Sequence, residues 1–206
     1  MQILDYQTQE NWQSTSAWQS PIALDLASLT PKPLTQQNLT LTFGKAKPIK
    51  ATPSPSGMQF EATASLNFKQ QTYQLQRFHF HDGSEHLLAN QRLAGEIHFV
   101  FSNAQETLVL AVLCQVDTNF DDDLFAKIYQ ENLSNEQLAQ LIPQNRAYVT
   151  YLGTLTTPPL TPDIRWIVLT TPLKISLNSK KVIQQAFANN HRQVQPLNGR
   201  KISYYQ

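Results

Sequence analysis

The run "TYQLQRFHFH", residues 72–81, limits this chain more than any other stretch. It reads as a β-strand that carries two imidazoles. Side chains along a strand alternate between faces. His79 and His81 therefore share one face, and Phe78 and Phe80 take the other. Such a strand suits a sheet with an apolar core on one side and a polar cavity on the other. A second segment repeats the pattern. In "EIHF" (96–99), Glu96 and His98 share a face, with Ile97 and Phe99 opposite. If the two strands are neighbours in one sheet, three imidazoles converge.

Most of the remaining chain also reads as strand. "NLTLTF" (38–43) alternates, and "MQFEATASLNF" (58–68) predicts two short strands. "GEIHFVF" (95–101), "TLVLAVLCQV" (107–116), "RAYVTYLG" (146–153) and "RWIVLTT" (165–171) are β-branched and aromatic. Helices fit at 121–133, which opens with acidic residues, at 134–142, which opens with a capping pattern, and at 179–190. Residues 1–36 read as an irregular lead anchored by Tyr6, Trp12 and Trp18, and "ATPSPSG" (51–57) reads as a loop. No repeat or linker divides the chain. The expected fold class is strand-dominated α+β: a single domain over residues 1–206 around a large, mostly antiparallel twisted central β-sheet, with a few peripheral helices.

Composition narrows the function. At 206 residues, with 41% apolar and 15% charged residues, the chain can bury one sizeable core. A formal charge of +1 gives no basic excess that would favour nucleic acid. No run of about 18 apolar residues predicts a membrane span. The first residues lack a basic segment followed by an apolar one, so a cytoplasmic location is expected, with a trimmed extracytoplasmic form as the alternative. Cys114 is the single cysteine and sits in "LVLAVLCQV", which predicts a buried, inert thiol.

Three neutral imidazoles around one point suit zinc. Zinc takes nitrogen ligands tetrahedrally at roughly 2.0–2.1 Å, and a catalytic site leaves its fourth position open. Three uncharged ligands leave the metal its full charge, which lowers the pKa of bound water most effectively. His-x-His alone also occurs as a surface or structural pair, so pattern alone leaves both readings open. A second stretch, "YLGTLTTPPL" (151–160), is equally open by itself. Gly153 permits a close approach, and Pro158–Pro159 predicts an extended exit.

Taken together, these residues resemble the α-class carbonic anhydrases. That family carries a Phe-His-Phe-His-Trp-Gly strand, a Gly-Ser-Glu-His turn, a Glu-Leu-His-Leu-Val strand and a Ser-Leu-Thr-Thr-Pro-Pro loop. This chain has "FHFHDG" (78–83), "GSEH" (83–86), "EIHFV" (96–100) and "TLTTPP" (154–159) in the same order. "YQTQENW" (6–12), "QSPI" (19–22), "LAVL" (110–113), "WIVL" (166–169) and "RQVQPLNGR" (192–200) extend the likeness over nearly the whole chain. The resemblance implies His79, His81 and His98 as zinc ligands. It implies Thr156 as the residue that holds a zinc-bound hydroxide, with Glu85 accepting the Thr156 hydroxyl proton. It implies Glu96 as the partner of the outer nitrogen of His98, and His86 as a structural residue beside Tyr151. Val100, Val112, Leu155 and Trp166 would form an apolar wall for carbon dioxide, with Thr157 at its rim. The reaction implied is reversible hydration of carbon dioxide to bicarbonate and a proton. Its partners would be these small molecules alone, in a monomer or a homodimer.

The sequence departs from the family at four places. The family's proton-shuttle histidine falls near Ser56, and no histidine precedes His79. That predicts slow proton release. Arg77 stands where the family has a glutamine that accepts from the first zinc-binding histidine, and arginine has no acceptor. Asp82 replaces a tryptophan, and could take over that vacated hydrogen bond or pair with Arg77. Cysteines usual before "QSPI" and at Leu160 in secreted bacterial members are absent, which favours a reducing compartment. Two other readings stay open: a catalytically weak or inactive binding or scaffold domain, and a different zinc hydrolase such as an esterase.

Overall fold

The computed structural model describes residues 2–35, 39–44 and 49–206. The first residue of the expected strand 38–43 lies outside them. Among the described residues, fourteen strands run in chain order. The early ones are β1 (Ala23–Leu24), β2 (Pro31–Lys32), β3 (Leu39–Phe43), β4 (Lys50–Ser54), β5 (Gly57–Glu61), β6 (Ala64–Phe68) and β7 (Gln71–Asp82). The later ones are β8 (Leu87–Leu88), β9 (Gln91–Arg92), β10 (Gly95–Ser102), β11 (Thr107–Val116), β12 (Tyr148–Gly153), β13 (Ile164–Ile175) and β14 (Ser203–Tyr205). Strands β1, β8 and β9 form a small sheet. The others build an eleven-stranded sheet with the path β2-β14-β12-β13-β11-β10-β7-β5-β4, and β6 joins β3 to β7. Its pairings are antiparallel except β11 with β13 and β14 with β2, which are parallel. The strand-dominated reading therefore holds.

Each face of this sheet carries its own core. Phe60, Phe78, Phe80, Ile97, Phe99 and Val112 pack on one side; Ile22, Val100, Val109, Ala111, Tyr151 and Trp166 pack on the other. Phe78 stacks between Phe60 and Phe99, with ring centroids 5.2 and 5.4 Å away. Cys114 is fully buried in the first core, where burial raises its thiol pKa and keeps it protonated.

Local chemistry explains several differences from the expectations. The stretch 51–57 is mainly strand: β4 and β5 form a hairpin turned by Pro55 and Ser56. Pro53 fits because β4 lies at the sheet edge, where a missing N–H leaves no ladder bond unmade. The helix expected over 121–133 shortens to α1 (Leu124–Tyr129). Asp122 accepts the Leu124 N–H at 3.2 Å at the start of α1, and it also accepts the Ser176 backbone N–H at 2.7 Å and the Ser179 hydroxyl, which ties it to the start of α2 (Leu177–Ala186). Residues 135–141 form a 3-10 helix, and the Ser134 N–H donates to Gln137 Oε1 at 2.9 Å. The lead contains the 3-10 turn Tyr6–Asn11, with Tyr6 packed edge-on against Trp12 and Phe187; Trp18 is partly exposed.

Candidate metal centre

Strands β7 and β10 are antiparallel neighbours. Their register sets His98 opposite His79 and Glu96 opposite His81. The alternation read from the sequence thus brings three imidazoles to one point. Ring centroids lie 5.0 Å apart for His79 and His81, 5.2 Å for His79 and His98, and 4.5 Å for His81 and His98. One nitrogen of each lies within 4.8 Å of the others.

The outer partners decide which nitrogen carries the proton. His81 Nδ1 lies 2.5 Å from the backbone oxygen of Asn190 and must donate to it. His98 Nε2 lies 2.8 Å from Glu96 Oε1. Burial opposes ionisation of Glu96, but His86 and His98 outweigh it and hold that carboxyl well below its usual range. His98 Nε2 therefore donates as well. The inner atoms, His81 Nε2 and His98 Nδ1, then present lone pairs to each other at 3.1 Å. Two lone pairs so close repel unless a cation lies between them. Ligands of a tetrahedral zinc at roughly 2.0–2.1 Å stand roughly 3.3–3.4 Å apart, so this donor set fits zinc. Burial, with smaller contributions from neighbouring charges, pulls His79 well below the ordinary histidine value. Burial lowers His81 as well, so both rings stay neutral at pH 7 and can act as ligands.

His86 lies behind this centre. Its Nδ1 is 2.7 Å from Glu96 Oε1, its backbone N–H donates to Glu96 Oε2 at 2.8 Å, and its Nε2 is 2.6 Å from the Tyr151 hydroxyl. His86, Glu96 and His98 are also close enough to hold a metal. In that group, however, Glu96 Oε1 already faces a ring N–H from each histidine. Tyr151 extends the chain to Ser20 Oγ at 3.1 Å. A Cβ on Gly153 would strike that Ser20 hydroxyl, so the close approach expected at Gly153 is present.

Glu85 is fully buried, with Oε1 accepting the Arg192 N–H at 2.7 Å. Its Oε2 is buried without a partner and lies 3.9 Å from His98 Nδ1. Thr156 is buried at the cavity wall and makes no hydrogen bond to Glu85. Glu85 thus keeps one free oxygen.

A cavity of about 30 Å³ borders the centre. Val100, Leu155, Thr156, Thr157 and Trp166 line it, together with Ser56, Gln59, Arg77, His79, His98 and Val109. Val112 does not. It packs in the opposite core, and Val109 holds the place expected for it. The hairpin register is the reason, because Val100 pairs with Val109 and Val112 pairs with Ile97. Asp82 also differs from its expected roles. It ion-pairs with Lys180 and accepts the Asn189 N–H at 2.9 Å, and it bonds neither His79 nor Arg77. His79 Nδ1 and Arg77 Nε are both buried without partners, as expected from a residue with no acceptor in the glutamine's place. The Pro158–Pro159 peptide is cis, and the chain turns there instead of exiting extended, with the Leu160 N–H donating to Thr157 O at 2.9 Å.

Asn190, like Val109 and Gln59, is a site residue that the sequence did not reveal. Besides orienting His81, its side chain accepts the Asp82 N–H at 2.6 Å and donates to Phe80 O at 2.9 Å and Ser56 O at 3.2 Å. It lies more than a hundred positions beyond them, so no local pattern marks it.

The family model for eukaryotic-type carbonic anhydrase matches residues 7–206. A carbonic anhydrase of Neisseria gonorrhoeae is 32% identical over 187 residues, which cover 80% of this chain and 74% of that protein. One from Nostoc sp. is 26% identical over 196 residues, which cover 89% of this chain and 74% of that protein. The solved carbonic anhydrase of Chlamydomonas reinhardtii in complex with acetazolamide superposes with a TM-score of 0.81 at 23% identity, covering 95% of this chain and 94% of that one.

Proposed function

The chain belongs to the eukaryotic-type carbonic anhydrase family, and from that premise we propose that it catalyses the reversible hydration of carbon dioxide to bicarbonate and a proton, with zinc held by His79, His81 and His98. The observation that carries this reading is the pair of lone-pair nitrogens, His81 Nε2 and His98 Nδ1, fixed 3.1 Å apart by outward hydrogen bonds. Zinc, when bound, supplies a Lewis acid that activates water at neutral pH. The chain's own groups do the rest. Asn190 O and Glu96 hold two of the rings in the tautomer that ligation requires. Glu85 Oε2 has the capacity to take the Thr156 hydroxyl proton. Were that proton so engaged, the Thr156 oxygen could only accept, and would orient a donor held at the centre. Carbon dioxide has no net dipole, so Val100, Val109, Leu155 and Trp166 can hold it without orienting hydrogen bonds. Residues 1–206 act as one domain in this reading.

Zinc content and stopped-flow hydration, with and without acetazolamide, test it. Wild type should bind about one zinc and hydrate carbon dioxide in an acetazolamide-sensitive way, and His98→Ala should lose both metal and activity. A zinc-loaded wild type that leaves hydration at its uncatalysed rate overturns the proposal.

A further inference from the structure

We infer that Arg77 and Gln59 form an anion-binding wall of the metal cavity, one that takes bicarbonate and discriminates it from carbon dioxide. The inference rests on the function proposed above. Strand β7 carries an irregularity at this point: Val100 pairs with Arg77, but Phe101 pairs with Leu75, so Gln76 is an extra residue. Leu75 and Phe78 both face the core in spite of their odd spacing, Gln76 is exposed, and Arg77 borders the cavity. Bulges commonly re-aim a side chain beside an active site.

The aimed group is an uncompensated cation. The Arg77 side chain makes no hydrogen bond or ion pair among the described residues, and its Nε is buried without a partner. The acids near the histidines are committed elsewhere or stand behind the rings. Glu96 faces both His86 and His98, and Glu85 accepts the Arg192 N–H. Neither borders the cavity. Gln59 sits opposite His79 in the β5–β7 register, borders the same cavity, and its amide has no hydrogen-bond partner among the described residues. A half-buried guanidinium without a counter-ion is costly, and an entering anion removes that cost. Bicarbonate offers a planar set of oxygens that the guanidinium fork matches, and the Gln59 amide can donate to a third oxygen. Carbon dioxide carries no charge and gains little from either group.

Bicarbonate titration followed by carbon-13 line broadening tests this on zinc-loaded wild type, Arg77→Met and Arg77→Lys, with zinc content measured for each. The same titration is run after the metal has been stripped with a chelator. Arg77→Met should bind bicarbonate roughly sixfold more weakly or worse, the effect of removing a contacting charge about 4 Å away even at water-like screening. Arg77→Lys should fall between wild type and Arg77→Met, because the charge remains but the planar fork is lost. If Arg77→Met does not fold, Arg77→Gln carries the same expectation. Equal binding by wild type and the neutral variant in both arms overturns the inference. If wild type takes up no zinc, the functional proposal fails, and the stripped arm still decides the role of Arg77.

Discussion

Each imidazole at the centre is set by whatever holds its far nitrogen. His81 has a carbonyl and His98 a carboxylate, while His79 Nδ1 has nothing, because Arg77 offers only donors. The rings' environment also makes a pH prediction. Burial lowers the folded-state pKa of His79 and His81 from the ordinary value near 6.5. Between that value and the lowered ones, the unfolded chain binds more protons than the folded protein. Stability therefore rises with pH across this window and is lost as pH falls below about 6.5. The melting temperature of the metal-free protein should drop steadily from pH 7 to pH 5, and should drop more steeply with zinc, which binds only neutral rings. A melting temperature flat over that range would contradict this. The three converging imidazoles and Glu96 were legible because same-face strand spacing is local. Asn190 was not, because its carbonyl arrives from a distant segment.

At the scale of elements, strand parity separates the two sides of the sheet, and it is easily misread where an apolar run offers several registers. In "TLVLAVLCQV" every second residue is a candidate for either face. The hairpin between β10 and β11 selects Val109 for the cavity and sends Val112 to the far core. Two substitutions should separate these faces. Val112→Ala should cost roughly 2 kcal/mol of stability while the activity of the folded protein persists. Val109→Tyr should fill the cavity and lower carbon dioxide hydration by about tenfold or more with zinc still bound. Denaturant melts and stopped-flow rates on both variants check the pair; the reverse pattern would place Val112 at the site. The bulge in β7 is a second limit on alternation. Strict alternation puts Leu75 on the face of His79, whereas the extra residue Gln76 returns Leu75 to the core.

Across the whole molecule, the two ends of the chain close behind the site. Arg192 Nη1 donates to Ser20 O at 2.7 Å, and the Gln195 N–H donates to Pro21 O at 2.8 Å. This strap positions the Arg192 N–H on Glu85 and places Asn190 against His81. It also fixes what a departing proton meets. Ser56, held through its carbonyl by Asn190, stands at the cavity border, and serine does not titrate near neutrality. His191, the one histidine outside the cluster, holds the backbone oxygen of Asp82 and does not border the cavity. Proton release should therefore limit turnover. Raising imidazole buffer at constant pH and ionic strength should increase the hydration rate until another step limits it, and a rate indifferent to buffer would remove this expectation. Among the described residues no helix is long and apolar enough to cross a membrane.

Alternation, residue type and spacing by themselves determined a strand-dominated fold, the face shared by His79 and His81, the matching pair Glu96 and His98, and the buried place of Cys114. All of these follow from the two-residue period of a strand and from the cost of exposing apolar side chains. Only the tertiary structure decided that Val109, not Val112, lines the cavity, that Asp82 pairs with Lys180, and that Asn190 orients His81. Those outcomes depend on hairpin register and on contacts between segments far apart in the chain, and a one-residue shift of register turns every side chain of a strand to the other face.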